Sequence, residues 1–319
     1  MTIKTPVKSP ISLKEPIKLY ELSKDNIKNQ LSKYFSRDVP DNIIDTDYSI
    51  WRCSETSLEF CWPQEPGNKN FYEWISLFSS YYPNYRWEYG IVSDIISRDS
   101  GEKCDFLVLD VGCGEGDFLD SLKMIDNNKK YAIDFNESAI LSCKEKGLNS
   151  FIGSVETGIQ KNYISKEMFS FVTSFHCLEH VADPVGFVRE LLSVTKSGGK
   201  VFLSTPYSPM SFEDTWFDIM NHPPHHMTRW NLDAYIKMAK ILNVEMNFFV
   251  RKAKPFCQAL QCLHLKRFGA NSNNSLFDII KHIAFKPQRF IQEWLRLIRR
   301  AGRDKSAGSD VILIEFKKS

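Results

Sequence analysis

A stiff, histidine-rich stretch is the first candidate for chemistry in this sequence. NHPPHHMTRW (221–230) holds three of the seven histidines of the chain. Because proline restricts φ and has no amide hydrogen, the Pro223-Pro224 pair predicts a rigid loop rather than a helix or an inner strand. Histidine titrates near neutral pH and is suited to take a proton from a hydroxyl group. We predict that one of His225 and His226 is a general base and that the other orients it, with His222 as a weaker candidate.

The same stretch ends in Arg229 and Trp230. A guanidinium can pair with an acidic ligand or lie against an indole ring, so Arg229 joins the candidate catalytic residues. The alternative for the whole stretch is a structural loop in which the histidines only pack or cap.

A glycine-rich loop, LDVGCGEGD (109–117), is the second candidate. It follows a buried strand and opens a helix, which is where an open α/β sheet binds its ligand. Its glycines are Gly112, Gly114 and Gly116. Their spacing differs from the GxGxxG of dinucleotide sites, and Asp110 and Asp117 bracket the loop. Two carboxylates would repel a pyrophosphate and would suit a cationic ligand with an ammonium and a sulfonium.

A third acid completes this candidate binding site. Asp134 ends the next predicted strand, 24 residues after Asp110. An acid at about 20 residues from such a loop can accept hydrogen bonds from ribose hydroxyls. The alternative is that both acids are solvated strand ends, but the glycines between them favour a binding site.

The elements that would position these residues alternate regularly between residues 104 and 250. Strand-like apolar runs followed by helix-like segments predict a parallel sheet with helices on both faces, a Rossmann-like doubly wound fold. The predicted strands are 106–111, 131–134, 151–154, 169–175, 200–205, 244–250 and 310–316. The predicted helices are 118–125, 136–146, a segment opened by Asp183-Pro184, and 232–242. Ser197-Gly198-Gly199 is predicted to turn the chain into the strand that follows.

The rest of the chain suggests two additions to this domain. Residues 1–100 are predicted as a loose arm (1–20), a helix capped by Ser23, a small hairpin and an aromatic helical cap. The catalytic domain is assigned to 101–250 plus 310–319, and residues 251–309 to a basic helical insertion before the last strand.

Several motifs together resemble the class I S-adenosylmethionine-dependent methyltransferases. They are VLDVGCGEGDFL, AIDFNESAI, FSFVTSFHCLEHVADPVGFVRELL and SGGKVFLSTPY, and the resemblance covers roughly residues 104–250. The lead-in FYEW…YYPNYRWEYG and NHPPHHMTRW resemble a bacterial subgroup with a PPHH loop, associated with glycan and polysaccharide pathways. The resemblance implies S-adenosylmethionine as the cofactor, S-adenosylhomocysteine as the product, and a small-molecule or glycan acceptor.

The resemblance also implies roles for single residues. The loop at 112–114 would line the methionine part of the cofactor, Asp134 would hold the ribose, and Phe135 would pack on the adenine. The cofactor-binding candidates are Asp110, Gly112, Cys113, Gly114, Gly116, Asp134, Phe135, Asn136, Ser154, Val155, Phe175, His176, Tyr82 and Arg86. The catalytic candidates are His225, His226, His176 and Arg229.

Two departures from the family pattern matter. Many relatives carry an acid for the adenine amine where this chain has Ser154-Val155. Some relatives also carry a four-cysteine zinc ribbon, of which only Cys53 and Cys61 remain, so we expect no zinc.

The segment FHCLEH offers a metal alternative. In some quinone-precursor O-methyltransferases the corresponding loop binds magnesium, and the matching positions here are His176, Glu179 and His180. Magnesium prefers oxygen ligands, so we expect no metal; His176 would cover the cofactor, and the other two would bond the loop backbone.

A basic amphipathic helix is predicted over 288–305. Its apolar residues share one face and its arginines crowd the rest, so it could lie on an anionic membrane surface. The alternative is that the apolar face packs on its own domain and leaves the charges solvated.

Composition restricts the class of protein. Hydrophobic residues make up 43% and charged residues 25% of the chain, typical of a globular protein. The net charge of +2 gives no reason to expect a nucleic-acid partner. No apolar run approaches the roughly 20 residues that span a bilayer, and the N-terminus lacks a signal-peptide pattern, so we expect a cytoplasmic protein, free or peripheral at the membrane. The eight cysteines contain no CxxC pair, and most of them are interpreted as buried thiols.

Three functions follow from the sequence. The first is O-methylation of a hydroxyl on a sugar or glycan intermediate with a histidine base. The second is metal-assisted O-methylation of a small phenolic or quinone-like acceptor. The third is a cofactor-binding regulatory protein without turnover.

Overall fold

The computed structural model describes residues 7–12, 14–77, 86–100, 106–268, 287–303 and 309–319. The strands are β1 Ile17–Leu22, β2 Tyr48–Arg52, β3 Glu59–Trp62, β4 Val108–Val111, β5 Lys130–Asp134, β6 Asn149–Ile152, β7 Phe169–Phe175, β8 Thr195–Pro206, β9 Thr228–Arg229, β10 Glu245–Val250 and β11 Val311–Lys317. The helices are α1 Lys24–Phe35, α2 Lys69–Ser76, α3 Trp87–Ser100, α4 Asp117–Ser121, α5 Glu137–Glu145, α6 Val155–Gln160, α7 Pro184–Val194, α8 Leu232–Leu242, α9 Pro255–Phe268 and α10 Pro287–Arg303.

The chain forms two compact units. The first comprises residues 1–72, 206–231 and 250–312, and the second comprises residues 73–205, 232–249 and 313–319. These bounds differ from those of the predicted segments, because residues 206–231 and the α9–α10 region group with the N-terminal residues.

The first unit contains a four-stranded sheet in the order β1-β2-β3-β9. The predicted hairpin is confirmed, with Ile50 opposite Cys61 in the antiparallel pair of β2 and β3. The prediction of a loose arm over 1–20 is wrong at its end, because Ile17–Leu22 pairs with β2. This strand lies at the sheet edge and is mostly exposed, so it lacks the apolar alternation by which a half-buried strand is recognised.

A helical core also belongs to the first unit. Ser23 caps α1 as predicted, because its hydroxyl accepts from the Asn26 amide. The helices α9 and α10 pack on each other through a cluster of buried apolar residues. The cluster consists of Met210, Phe212, Ala259, Cys262, Leu263, Leu265, Phe290 and Leu297.

The second unit is built on a seven-stranded sheet in the order β10-β11-β8-β7-β4-β5-β6. Neighbouring strands from β8 to β6 pair in parallel. The strand order reverses between β7 and β4, and right-handed crossovers on the two sides of that point place helices on opposite faces of the sheet. The predicted Rossmann-like, doubly wound and mostly parallel fold is confirmed.

Local sequence explains why these elements begin where they do. All four residues of β4 are buried, as expected for a strand covered on both faces. Side chains cap three of the helices: Asn136 accepts from the α5 amides, Ser154 from the Thr157 amide, and Asp183 from the Gly186 amide.

Two boundaries differ from the predicted ones. The helix predicted over 118–125 ends at Ser121. The predicted turn at 197–199 lies inside β8, where the pairing with β7 is irregular. A Cβ on Gly199 would lie 2.9 Å from the Ser170 carbonyl oxygen, so this bulge needs glycine for the close approach of two backbones.

Candidate functional site

The glycine loop lies at the carboxyl end of β4, beside the point where the strand order reverses, which is where open α/β sheets bind ligands. The amides of Gly112 and Cys113 donate to the Ile133 carbonyl at 2.8 and 3.1 Å and fix the loop to β5. The three glycines have φ angles of +72°, +54° and +81°. A Cβ on Gly112 would lie 2.2 Å from the Cys177 sulfur, so this position requires glycine both for backbone conformation and for space.

Asp134 lies at the carboxyl end of β5, next to the glycine loop. Its carboxylate accepts hydrogen bonds from the Gly114 amide at 2.9 Å and the Asn136 amide at 2.8 Å. It therefore joins the glycine loop to the start of α5. Burial raises its pKa. A carboxylate offers about four acceptor positions, so it can also accept from the hydroxyls of a ligand.

The residues predicted to meet an adenine lie near the ends of β5 and β6. Phe135 is 78% exposed although it is a large aromatic residue, and it follows Asp134 directly. Asn136 and Ser154 use their side-chain oxygens to cap α5 and α6. Val155 is buried. An exposed ring beside the Asp134 carboxylate is a suitable platform for a flat heterocycle.

Two of the acids predicted to attract a cationic ligand have other partners. Asp110 is 2% exposed and accepts from the Thr173 hydroxyl at 2.7 Å. Burial raises the pKa of Asp110 to about 7. Asp117 is paired with Lys146 at 2.8 Å. The expectation that these two carboxylates attract a cationic ligand gains no support from these contacts, because Asp110 is buried against Thr173 and Asp117 is paired with Lys146.

Cys113 and Phe175 point into the protein interior. The Cys113 sulfur lies 3.8 Å from the Cys143 sulfur, so this residue can serve a ligand only through its backbone. The Phe175 ring packs edge-on against Phe118 and Tyr89 at centroid distances of 4.8 and 4.9 Å. Both predicted cofactor contacts are part of the core that supports the loop.

His176 follows β7 and has a left-handed backbone, with φ of +54°. Its Nε2 lies 3.0 Å from a Glu88 oxygen, and its Nδ1 lies 3.4 Å from a Glu179 oxygen. The second contact is an ion pair without hydrogen-bond geometry, and within the described ranges both buried Glu179 oxygens lack a hydrogen-bond partner.

The charges of this cluster shift the pKa values of its members. Burial lowers the pKa of His176, but Glu179 and Glu88 outweigh it, so the pKa lies above its ordinary value. Burial raises the pKa of Glu88, but His176 outweighs that effect and the pKa lies below its ordinary value. The charge of Arg86 acts on both groups, which places this predicted cofactor-binding residue near the end of β7. Tyr82 lies outside the described residues.

Sequence reasoning missed Glu88, Thr173 and Lys146. Glu88 lies in the aromatic lead-in, 88 positions before its partner His176. Its burial inside α3 is the structural reason that it pairs. A single acid in a helix gives no indication in the sequence of a partner 88 positions away.

In the first unit, most of the stretch 221–230 is buried. The Pro224 carbonyl accepts from the Gly67 amide at 2.8 Å, and the Met227 carbonyl accepts from the Cys61 amide at 3.0 Å. The stretch ends in β9, which extends the sheet at β3. The predicted rigid loop is thus built into the unit by backbone hydrogen bonds.

The hydrogen bonds of the three histidines define their tautomers. His225 Nδ1 lies 2.7 Å from the Met220 carbonyl oxygen, and His226 Nδ1 lies 2.9 Å from the Asn221 side-chain oxygen. Oxygen atoms of this kind only accept, so both Nδ1 atoms carry a proton and the neutral rings have their basic lone pair on Nε2. The two rings are stacked at 4.5 Å.

His222 has a different environment. Its Nδ1 faces the Asp218 carbonyl at 2.6 Å and its Nε2 faces the Tyr20 hydroxyl at 2.9 Å. Burial and the Arg229 charge lower its pKa to about 3. Both nitrogens thus have partners within the unit, so His222 is a structural residue.

Arg229 is also bound within the first unit. Its guanidinium donates to Glu59 at 2.7 Å and to Glu213. Two carboxylates already neutralise it, so the predicted pairing with an acidic acceptor gains no support from the geometry.

Comparison with known proteins agrees with the fold. Residues 91–246 match the family model described as a methyltransferase domain. The matched segment runs from within α3 to the start of β10 and includes the glycine loop, Asp134 and His176.

Curated relatives with similar sequences are named ubiquinone biosynthesis O-methyltransferase. The protein from Xanthomonas euvesicatoria is 33% identical over 108 residues, which cover 31% of this chain and 42% of the relative. The protein from Pseudomonas aeruginosa is 34% identical over 101 residues, which cover 31% of this chain and 43% of the relative. The chain thus spans less than half the length of these relatives.

Two solved structures show partial similarity to this chain. A SAM dependent methyltransferase from Archaeoglobus fulgidus aligns with a TM-score of 0.45 and 18% identity, over 72% of this chain and 94% of that chain. A geranyl diphosphate methyltransferase in complex with SAM aligns with a TM-score of 0.47 and 11% identity, over 80% and 93% of the two chains.

Proposed function

We propose that this protein is a methyltransferase that uses S-adenosylmethionine to methylate a hydroxyl oxygen. The observation that carries the proposal is the position of Asp134, whose carboxylate joins the glycine loop to α5 at the switch point of the sheet. The match of residues 91–246 to a methyltransferase domain supports the choice of cofactor over a dinucleotide.

The residues present at this edge fit S-adenosylmethionine. Asp134 has acceptor capacity for ribose hydroxyls, Phe135 offers an exposed ring to the adenine, and Arg86 supplies a positive charge for the amino-acid carboxylate. When bound, the cofactor supplies a methyl group on a positively charged sulfur. The protein's part is to orient that group, exclude water and remove the proton of the acceptor.

We propose His225 or His226 as the group that removes this proton. Each ring holds its Nδ1 proton against an oxygen acceptor, so Nε2 is the atom that can take a proton. The buried, hydrogen-bonded loop limits the motion of both rings, and such preorganisation favours catalysis.

The acceptor belongs to one of two chemical classes. The name of the curated relatives supports a phenolic, quinone-precursor-like hydroxyl, which we place first. The paired imidazoles favour the second class, a sugar or glycan hydroxyl, because an aliphatic hydroxyl is far less acidic than a phenol and depends more on a base.

We propose that transfer does not require a metal at the 176–180 loop. Both ring nitrogens of His176 face carboxylates, and its raised pKa favours the doubly protonated ring. A doubly protonated imidazole has no lone pair for a metal ion. Activity that survives a chelator is the expected result; magnesium-dependent activity restored after chelation would overturn this part of the proposal.

The proposal is tested with methyl-labelled S-adenosylmethionine and a panel of phenolic and sugar acceptors. Calorimetric binding of S-adenosylhomocysteine is measured on the same preparation. Binding together with label transfer to an oxygen supports the proposal. Binding without transfer to either class favours a regulatory protein, and absence of binding contradicts the cofactor assignment.

A further inference from the structure

Helix α10 carries two apolar stripes. Phe290 and Leu297 are buried against α9, with Trp294 packed beside them. The residues Ile291, Leu295 and Ile298 recur at intervals of four and three, which aligns them on one helix face, and they are 47%, 43% and 42% exposed. The first stripe accounts for the packing of α10 on its own unit, and the second is left on the surface.

The segment that carries the exposed stripe is rich in positive charge. Residues 251–303 contain twelve Lys and Arg but only two acidic residues. Two of the α10 arginines are used internally, since Arg296 pairs with Glu293 and Asp214 and Arg300 donates to backbone carbonyls. Among the described residues of this segment, the exposed basic ones are Arg251, Lys252, Lys254, Lys266, Arg267, Arg289 and Arg299.

We infer that the α10 surface, defined as Ile291, Leu295, Ile298 and Arg299, binds an anionic lipid bilayer. An amphipathic helix with this pattern lies in the plane of the interface with its apolar side chains among the acyl chains and its cations at the headgroups. Phe256, 52% exposed and in ring contact with Phe290 and Trp294, extends the apolar area. Within the described part of the chain, no helix is long and apolar enough to cross the membrane.

Charge and size favour a bilayer over another protein copy. A second copy of the chain would bring the same excess of positive charge against this surface, and like charges in an interface repel. A stripe of three side chains is small beside the roughly 800 Å² per partner of a stable protein interface. Shallow insertion into a negatively charged bilayer needs less apolar area, because the attraction of basic residues to anionic lipids adds to it.

The experiment is sedimentation of the full chain with vesicles of phosphatidylcholine, alone or mixed with phosphatidylglycerol. The matched variants are a triple change, Ile291→Asn, Leu295→Asn and Ile298→Asn, the single change Arg299→Gln, and the control Leu141→Asn on exposed α5. We expect binding only to the mixed vesicles, weakened by salt. The triple variant should bind at least about tenfold more weakly, because burial of apolar side chains drives insertion. Arg299→Gln should bind severalfold more weakly, and the control should match the wild type.

Light scattering of the same proteins completes the test. A monomer that binds mixed vesicles, and loses that binding on the triple change, supports the inference. Equal binding by a folded triple variant, equal binding to phosphatidylcholine alone, or absence of binding overturns it. A dimer that the triple change dissociates, without vesicle binding by the wild type, also overturns it and assigns the surface to a second copy. None of these results depends on methyl transfer.

Discussion

The two histidine clusters of this protein surround the same side chain with different partners. His176 lies between the carboxylates of Glu88 and Glu179, which favour the imidazolium. The histidines at 222, 225 and 226 each direct Nδ1 to an uncharged oxygen acceptor, which leaves the lone pair of the neutral ring on Nε2. The difference teaches what each cluster can do. Because a general base must start neutral, the loop histidines suit proton removal, and His176 suits a fixed positive charge.

The largest expected effect comes from the loop histidines. Replacement of the base, by His225→Ala or His226→Ala, should lower the transfer rate by roughly 10²–10⁴, the usual contribution of a positioned base. Affinity for S-adenosylhomocysteine should remain near wild type, because the loop is assigned to the acceptor. Single-turnover transfer and calorimetry measure the two quantities.

A histidine elsewhere in the first unit provides the control. His264→Ala on α9 should transfer methyl groups at the wild-type rate. If both loop variants stay folded and turn over normally, the loop histidines are structural and neither of them is the base.

The second effect concerns cofactor affinity at the glycine loop. Asp134→Ala should weaken S-adenosylhomocysteine binding by about 10- to 100-fold, since loss of a hydrogen-bonded carboxylate costs about 1.5–3 kcal/mol. The variant also removes the acceptor of the Gly114 amide, which lowers the stability of the loop. Binding should therefore be measured well below the melting temperature. Glu137→Ala, an exposed acid three positions away, is the matched control; equal affinities for the two variants would remove Asp134 from the site.

The glycine-loop site and the 221–230 stretch differ in how well the sequence predicts their contacts. The glycine loop and Asp134 are separated by one strand, so spacing and strand order are enough to place them together. Arg229 pairs with Glu59 across 170 positions, and the sequence contains no signal for that contact. The predicted acceptor role for Arg229 therefore rests on residue type alone.

The same limit explains the errors in the fold. The strands β4, β7 and β11 of the second unit are predictable because burial on both faces favours apolar runs. The exposed edge strand β1 has no such pattern, so its sequence resembles that of a loose arm. Where a residue's role depends on a neighbour far along the chain, local patterns identify the chemistry available but not the partner.

The third prediction tests the charge of His176. Glu88→Gln should lower the free energy of unfolding by about 1–3 kcal/mol at mildly acidic pH, because it removes a buried charged hydrogen bond. The raised pKa of His176 makes its contribution complete below its ordinary value near 6.5 and lost as pH rises through the folded pKa. The lowered pKa of Glu88 makes its contribution complete above its ordinary value and lost as pH falls through the folded pKa. The effect of the variant should thus shrink on the alkaline side.

Urea unfolding at mildly acidic and mildly alkaline pH measures this change. Asp99→Asn serves as the control, because Asp99 pairs with Lys200 at 2.8 Å and neither group titrates between these pH values. A Glu88→Gln effect that does not change with pH, like that of the control, would mean that His176 is not the charged partner.

The smallest effect tests the neutral state of His222. With Nδ1 donating to the Asp218 carbonyl, Nε2 accepts from the Tyr20 hydroxyl at 2.9 Å, so Tyr20→Phe removes a hydrogen bond to a neutral ring. We expect a loss of about 0.5–1.5 kcal/mol of unfolding free energy. Because the pKa of His222 is lowered to about 3, its ring stays neutral in the folded protein under both conditions, and the loss should be the same at mildly acidic and mildly alkaline pH.

Tyr163→Phe, on a tyrosine that is 53% exposed, should leave stability unchanged in the same urea titrations. A Tyr20→Phe effect that is larger on the acidic side would mean that His222 is protonated there and donates from Nε2 to the Tyr20 oxygen.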